Sequence, residues 1–164
     1  VSFAPDGRTL IATGRDGATR VFDADTGAAV RDLTPPGRET VAVAAAADGR
    51  TVAVSTRVPH NPRGYDPADA RIDVADVADG RVRATVRKAF SPFAGRHLVA
   101  LSPDGRRLLY ADGRTLVLAD AATGAELRRA DAPGRIHVWQ SVAFAPDGAT
   151  LLALHSNFDD PFLH

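Results

Sequence analysis

The sequence contains no cysteine, so it can form neither a disulfide bond nor a thiolate metal site. It also has no excess charge of one sign, because 20 basic and 20 acidic residues balance. A neutral chain lacks the basic field that attracts nucleic acid or an anionic membrane, so we expect neither as a partner. No apolar run approaches the ~20 residues that span a bilayer, so we expect no membrane insertion. The lack of cysteine favours a reducing compartment such as the cytoplasm.

What the chain does contain is a turn sequence that recurs. Asp-Gly pairs begin at residues 6, 48, 104 and 147, which gives steps of 42, 56 and 43 residues. The long step contains an insertion rich in Pro, Gly and Asp, residues 57–70, and removing these 14 residues restores a step of 42. The flanking residues also repeat, as Phe3-Ala-Pro-Asp-Gly-Arg-Thr-Leu, Ala45-Ala-Ala-Asp-Gly-Arg-Thr-Val, Leu101-Ser-Pro-Asp-Gly-Arg-Arg-Leu and Phe144-Ala-Pro-Asp-Gly-Ala-Thr-Leu. A period of this length indicates a repeat architecture.

A second turn signature keeps phase with the first. It reads Asp23-Ala-Asp-Thr-Gly27, Asp76-Val-Ala-Asp-Gly80 and Asp120-Ala-Ala-Thr-Gly124. Both signatures are typical of tight turns between antiparallel strands. They divide each repeat into four short strands, a to d, and no helical period is present. The predicted second strands (b) are 10–13, 51–54, 108–110 and 151–154, the third (c) 20–22, 72–75 and 116–119, and the fourth (d) 30–33, 81–86 and 127–129.

The polarity of these strands predicts how the repeats pack. Strand b is almost continuously apolar, which is typical of a strand covered on both faces. Strand d alternates apolar residues with arginine, as in Arg81-Val-Arg-Ala-Thr-Val86, which suits an exposed edge that must not pair with another chain. Buried inner strands and a charged outer strand are what radially stacked blades need. The fold class is therefore all-β, a β-propeller arc of about three and a half four-stranded antiparallel blades.

The pattern resembles a degenerate, bacterial type of WD-repeat β-propeller over essentially the whole chain. The residues that carry the resemblance are Val-x-Phe-Ala-Pro-Asp-Gly, Asp16-Gly17, Val21-Phe22-Asp23 and Thr26-Gly27. TolB-like and lactonase-like propellers, which share Pro-Asp-Gly turns, are further relatives. The signature Trp-Asp tryptophan is replaced by Phe22, Ala75 or Ala119, and the Gly-His pair by Gly134-Arg135. These departures imply that the buried His–Asp network of the family is missing.

The repeat also predicts the blade boundaries. They are 1–34, 39–87, 97–130 and, for a partial blade, 140–164. Since propellers close with roughly 4–8 blades, we expect the natural protein to be longer at both ends, with the remaining blades supplied by the same chain.

The strand order separates two faces of the arc. The repeated turns lie on one face, whereas the connections 57–70, 34–39, 88–97 and 131–139 and the tail from His155 lie on the other. Variable loops and aromatic or arginine anchors favour binding, so this second face is the predicted partner-binding surface. Its candidate residues are Arg63, Tyr65, Phe93, His137 and Trp139. The alternatives are that Phe93 and Trp139 fill the space between blades and that Arg63 and Tyr65 lie in a solvated loop.

The sequence offers no pattern for catalysis. The histidines have no compact metal-ligand spacing, no nucleophile elbow surrounds a serine, and the glycines belong to turns rather than to a phosphate loop. We expect no catalytic residue, no metal and no cofactor. The resemblance implies a non-catalytic protein-interaction scaffold within a larger multidomain protein, with partners of unknown identity. The alternative is the propeller domain of an enzyme, lactonase-like or associated with a hydrolase.

Overall fold

The computed structural model describes residues 2–3, 7–59, 70–87, 97–132 and 137–157, and these form antiparallel sheets. The first sheet, blade 1, contains β1 (Ser2–Phe3), β2 (Thr9–Thr13), β3 (Thr19–Asp23) and β4 (Ala29–Asp32). Blade 2 contains β5 (Glu39–Ala45), β6 (Thr51–Arg57), β7 (Arg71–Asp76) and β8 (Val82–Arg87). Blade 3 contains β9 (Val99–Leu101), β10 (Arg107–Asp112), β11 (Thr115–Asp120) and β12 (Glu126–Asp131). A two-stranded sheet, blade 4, contains β13 (His137–Phe144) and β14 (Leu151–Asn157).

The predicted strands are confirmed, and each blade keeps its strands in chain order. One boundary differs. The sequence predicted that residues 137–139 end the connection 131–139 and that blade 4 begins at residue 140. In the structure β13 begins at His137, so residues 137–139 belong to the first strand of blade 4. The extension is possible because a bulge between Trp139 and Ser141 lets β13 pair with β14 as far as Asn157.

The hydrophobic core lies between successive blades. Ile11 and Val21 of blade 1 pack with Val52 and Val54 of blade 2. On the opposite side of blade 2, a second cluster joins it to blade 3, and a third joins blade 3 to β13. Strand b of the inner blades is covered on both faces, as predicted, because both of its side-chain rows face a neighbouring blade. Complete burial of one such Val, Leu or Ile contributes about 1.5–3 kcal/mol.

The fourth strands form exposed edges. β12 is exposed along its whole length, and β8 buries only Ala84 and Val86. Arginine and acidic side chains occupy many of the exposed positions, as the predicted charged edge requires, and they alternate with exposed apolar residues such as Val82 and Leu127.

Strand b of blade 4 departs from the prediction of burial. Leu151, Leu152 and Leu154 of β14 are 40%, 61% and 63% exposed. The equivalent strands β6 and β10 are each paired on both sides, whereas β14 pairs only with β13 within the described part of the chain. Predicted burial of residues 151–154 is therefore wrong for this structure, since among the described residues no third strand or following blade covers them.

The Asp-Gly turns are held by their own aspartates. Asp147 Oδ1 accepts the backbone N–H groups of Ala149 (2.8 Å) and Thr150 (3.0 Å). The hydrogen bond from the Thr150 N–H is the main reason that the pKa of Asp147 lies below its ordinary value. These turns, together with the Asp-x-x-x-Gly turns, form one edge of the arc, which we call the turn face.

Candidate interaction surface

The loop face is the edge opposite the turn face. It consists of the connections between the second and third strands and those between blades. Antiparallel order brings all of these connections to the same edge. Its described parts are residues 14–18, 33–38, 58–59, 70, 97–98, 113–114 and 132.

Three of the five predicted binding residues, Arg63, Tyr65 and Phe93, lie outside the described residues. His137 is the first residue of β13, where it pairs with Asn157. Trp139 lies on the same strand and is buried, with 8% of its surface exposed. The structure therefore brings only His137 and Trp139 together, on one strand at the loop-face end of blade 4.

Trp139 joins blade 4 to blade 3. Its Nε1–H donates to the carbonyl oxygen of Arg114 at 2.9 Å, and its ring packs with Leu109 and Leu116. The His155 ring meets it edge to face, with centroids 5.7 Å apart. These contacts match the alternative of interblade filling, and a role of Trp139 in partner binding stays a prediction.

A second junction, between blades 1 and 2, is made of threonine hydroxyls. Thr19, which is fully buried, bonds through Oγ1 to Thr13 (2.8 Å) and Thr40 (3.0 Å), and its N–H donates to Thr34 Oγ1 (2.8 Å). Thr34 and Thr40 also share a hydrogen bond of 2.6 Å. The Thr40 N–H donates to the carbonyl oxygen of Gly17. In both junctions, a turn carbonyl of one blade thus accepts a hydrogen bond from the first strand of the next.

Replacing Thr19 with valine is expected to lower the free energy of unfolding by about 1–2 kcal/mol, because it removes the two part-buried hydrogen bonds of the Thr19 hydroxyl, to Thr13 and to Thr40. Thr115→Val is the matched control, since Thr115 bonds to Asp131 in an exposed position and its loss should cost below about 0.5 kcal/mol. Urea unfolding followed by circular dichroism measures both. Equal losses of unfolding free energy in the two variants would show that the hydrogen bonds of Thr19 contribute no more to stability than an exposed threonine hydrogen bond does.

Around blade 2, the loop face carries charge. Arg38 donates from Nε to Thr56 Oγ1 at 2.8 Å and from Nη2 to the Thr56 carbonyl oxygen at 3.2 Å. Arg57 pairs with Glu39. Burial, and secondly the positive charge of Arg57, lower the pKa of the half-buried His97 below its ordinary value. His97 is therefore held towards its neutral form by its burial and by the positive charge of Arg57.

Around these junctions, the loop face presents a mixed surface. Arg15 and Pro59 are exposed, as is 40% of Val58. Asp16 accepts a hydrogen bond from Arg20 at 2.7 Å, and this bond is the main cause of its lowered pKa. Among the described residues, no three His, Cys, Asp or Glu side chains could share a metal ion, and no helix could span a membrane. Arginine and apolar side chains on a fixed scaffold suit recognition of another surface.

The threonine junction and the Arg38 contacts were not predicted. Thr13 and Thr19 are partners in the β2–β3 pairing of blade 1, but their meeting with Thr34 and Thr40 depends on how the chain passes from blade 1 to blade 2. Asp16 was noted in the sequence as part of the Asp16-Gly17 turn that carries the family resemblance. In the structure its carboxylate forms an ion pair with Arg20.

Comparison with known proteins identifies the fold. No protein-family model matches the chain, and no curated protein matches it. Among solved structures, it is similar to the Myceliophteria thermophila Cps50 (Swd1) β-propeller domain, with a TM-score of 0.66 and 19% identity. The match covers 93% of this chain and 47% of that one, so this chain spans about half the length of that protein. The fold is a β-propeller, with three four-stranded blades and two strands of a fourth in the described residues.

Proposed function

We propose that this chain is part of a non-catalytic protein-interaction scaffold and that partners bind its loop face. The observation that supports the proposal best is the way that face is built. The connection 14–18 ends at Thr19 and the predicted connection 131–139 at Trp139, and each of these residues makes a part-buried hydrogen bond across a blade junction. A rigid base with variable loops lowers the ordering cost of binding a partner.

The proposed contacts combine the sequence candidates with the exposed neighbours that the structure adds. Arg63 and Tyr65 belong to the connection that leaves the sheet through Val58 and Pro59, both exposed. Phe93 belongs to the connection that re-enters at His97. His137 and Trp139 provide the contacts of blade 4, the latter with its small exposed fraction.

The proposal also includes further propeller blades on the same chain, in a larger protein. The exposed leucines of β14 support it. Val54 and Leu109, at strand b of the inner blades, are 1% exposed because neighbouring strands and blades cover them. A third strand and a following blade would cover Leu152 and Leu154 in the same way.

An affinity capture from the source cells tests the binding face. The double variant Arg63→Ala/Tyr65→Ala should reduce the captured partner at least fivefold. The matched control is Arg81→Ala/Val82→Ala, which removes one arginine and one large exposed side chain near the turn face. We expect the control to capture the partner normally. A partner retained by the loop-face variant and lost by the control would place the binding surface at the turn face instead.

A further inference from the structure

A groove on the turn face, away from the loop face, opens between blades 1 and 2. Its volume is about 240 Å³, and its walls include Arg8, Asp23, Val30 and Arg31 from blade 1 and Val77 from blade 2. This is smaller than the 300–1,000 Å³ typical of pockets for drug-sized ligands. It suits one or two side chains of a peptide better than a cofactor.

Arg31 is the unusual residue of this groove. It lies on β4 opposite Val21, and its stem passes along Gly80, with Cδ 3.6 Å from the point where a Cβ of that residue would be. Its Nε is buried and has no hydrogen-bond partner. Several other strand arginines pair with an acidic side chain, namely Arg20, Arg57, Arg71, Arg83 and Arg129. Arg31 has no such ion pair within the described ranges.

The nearest acid of the groove does not neutralise Arg31. The Oδ1 atom of Asp23 accepts both the N–H and the hydroxyl of Thr26, each at 2.8 Å. Arg31 is therefore a cation of the groove wall that forms no ion pair within the described residues. A guanidinium presents parallel donors that match a carboxylate.

We propose that this groove binds an acidic side chain of a partner polypeptide, with its carboxylate on the terminal amino groups of Arg31. Nε has no accessible surface, so those terminal groups are the ones that a ligand reaches. An apolar residue next to the acid packs on Val30, 51% of which is exposed, and above Val77. The ligand class is therefore an extended segment that contains an acidic residue beside an apolar one.

Two synthetic peptides test the site on the purified protein, acetyl-Leu-Glu-Leu-amide and acetyl-Leu-Gln-Leu-amide. The NMR signals of the Arg31 Nε–H and of the Val77 and Ala78 amides report binding. We expect saturable shifts with the glutamate peptide and at least tenfold weaker binding of the glutamine peptide. Because this comparison uses the unaltered protein, it does not depend on the folding of any variant.

Substitutions then assign the shifts to the guanidinium. Arg31→Gln should weaken binding of the glutamate peptide at least tenfold, and Arg31→Lys should weaken it less, since lysine keeps the charge but lacks the fork. Arg128→Gln, an exposed change on β12, is the matched control and should leave binding unchanged. Equal binding of the two peptides, or no effect of Arg31→Gln, would overturn the proposal. Tighter binding of the corresponding phosphoserine peptide would also overturn it, by assigning the groove to phosphorylated segments.

Discussion

Replacing Gly105 with alanine is expected to lower the free energy of unfolding by about 3 kcal/mol. Gly105 adopts a φ of +68°, where a side chain costs about 1–2 kcal/mol. The added Cβ would also lie 2.5 Å from Oγ1 and 2.9 Å from Cβ of Thr51, and it would overlap the carboxylate of Asp48. Such overpacking typically costs a further 1–3 kcal/mol. The turn of blade 3 is therefore seated directly on the turn of blade 2.

The overlap cannot be relieved by rotating Asp48. Its Oδ1 accepts the backbone N–H groups of Arg50 and Thr51, at 2.8 and 2.9 Å, and its Oδ2 accepts the Thr51 hydroxyl at 2.7 Å. Moving this carboxylate breaks the bonds that form the blade 2 turn, while Thr51 itself is 2% exposed. The strain must then spread into the interface between the blades.

Two other glycines separate the backbone effect from the contact. Gly148 occupies the same place in another Pro-Asp-Gly turn, with a φ of +66°, but its nearest neighbour is Pro103 Cδ at an ordinary 3.5 Å. Gly27, with a φ of +70°, has nothing within 4 Å. Alanine at either position should cost about 1–2 kcal/mol, from φ alone. Urea unfolding measures the stability of all three alanine variants. If Gly105→Ala loses no more unfolding free energy than the other two, the specific contact between the turns of blades 2 and 3 is refuted.

The turns themselves could be predicted from the sequence, whereas their contact could not. Asp and Gly specify a tight turn by local chemistry, and the alternation of turn signatures with apolar runs specifies four-stranded blades. The contact of Gly105 with Asp48 depends on how two blades stack. That arrangement is set by core side chains such as Val74 and Leu108, which the turn sequence does not reveal.

The candidate site was predictable only in outline. Antiparallel order places the irregular connections on one edge without any knowledge of side chains. Trp139 was placed at the end of the predicted connection 131–139, yet β13 begins at His137 and contains a bulge between Trp139 and Ser141. Strand extension of this kind depends on the length of the partner strand, β14, and leaves no local mark in the sequence.

Replacing Trp139 with alanine is expected to lower the free energy of unfolding by about 3–5 kcal/mol, the usual range for loss of a buried tryptophan. The indole fills the junction of blades 3 and 4 beside Leu109 and Leu116, and its removal leaves a cavity there. It also removes one of the two hydrogen bonds that the Arg114 carbonyl oxygen accepts, while the bond from the Ala132 N–H remains. Circular dichroism in urea is the measurement, because Trp139 is the single tryptophan and its fluorescence is lost with it.

Trp139→Phe separates the roles of this side chain. Phenylalanine keeps most of the apolar contact but cannot donate to Arg114, whose carbonyl oxygen keeps its hydrogen bond from the Ala132 N–H. Its cost should therefore be about 1 kcal/mol, the usual net contribution of one hydrogen bond. If Trp139 acts only between blades, the phenylalanine variant, once folded, should capture the partner as well as the unaltered protein does. A stable Trp139→Phe variant that loses the partner would instead assign the exposed rim of the indole to binding. If Trp139→Ala lowers the free energy of unfolding by less than about 1 kcal/mol, Trp139 does not pack tightly between blades 3 and 4, because loss of a buried tryptophan usually costs about 3–5 kcal/mol.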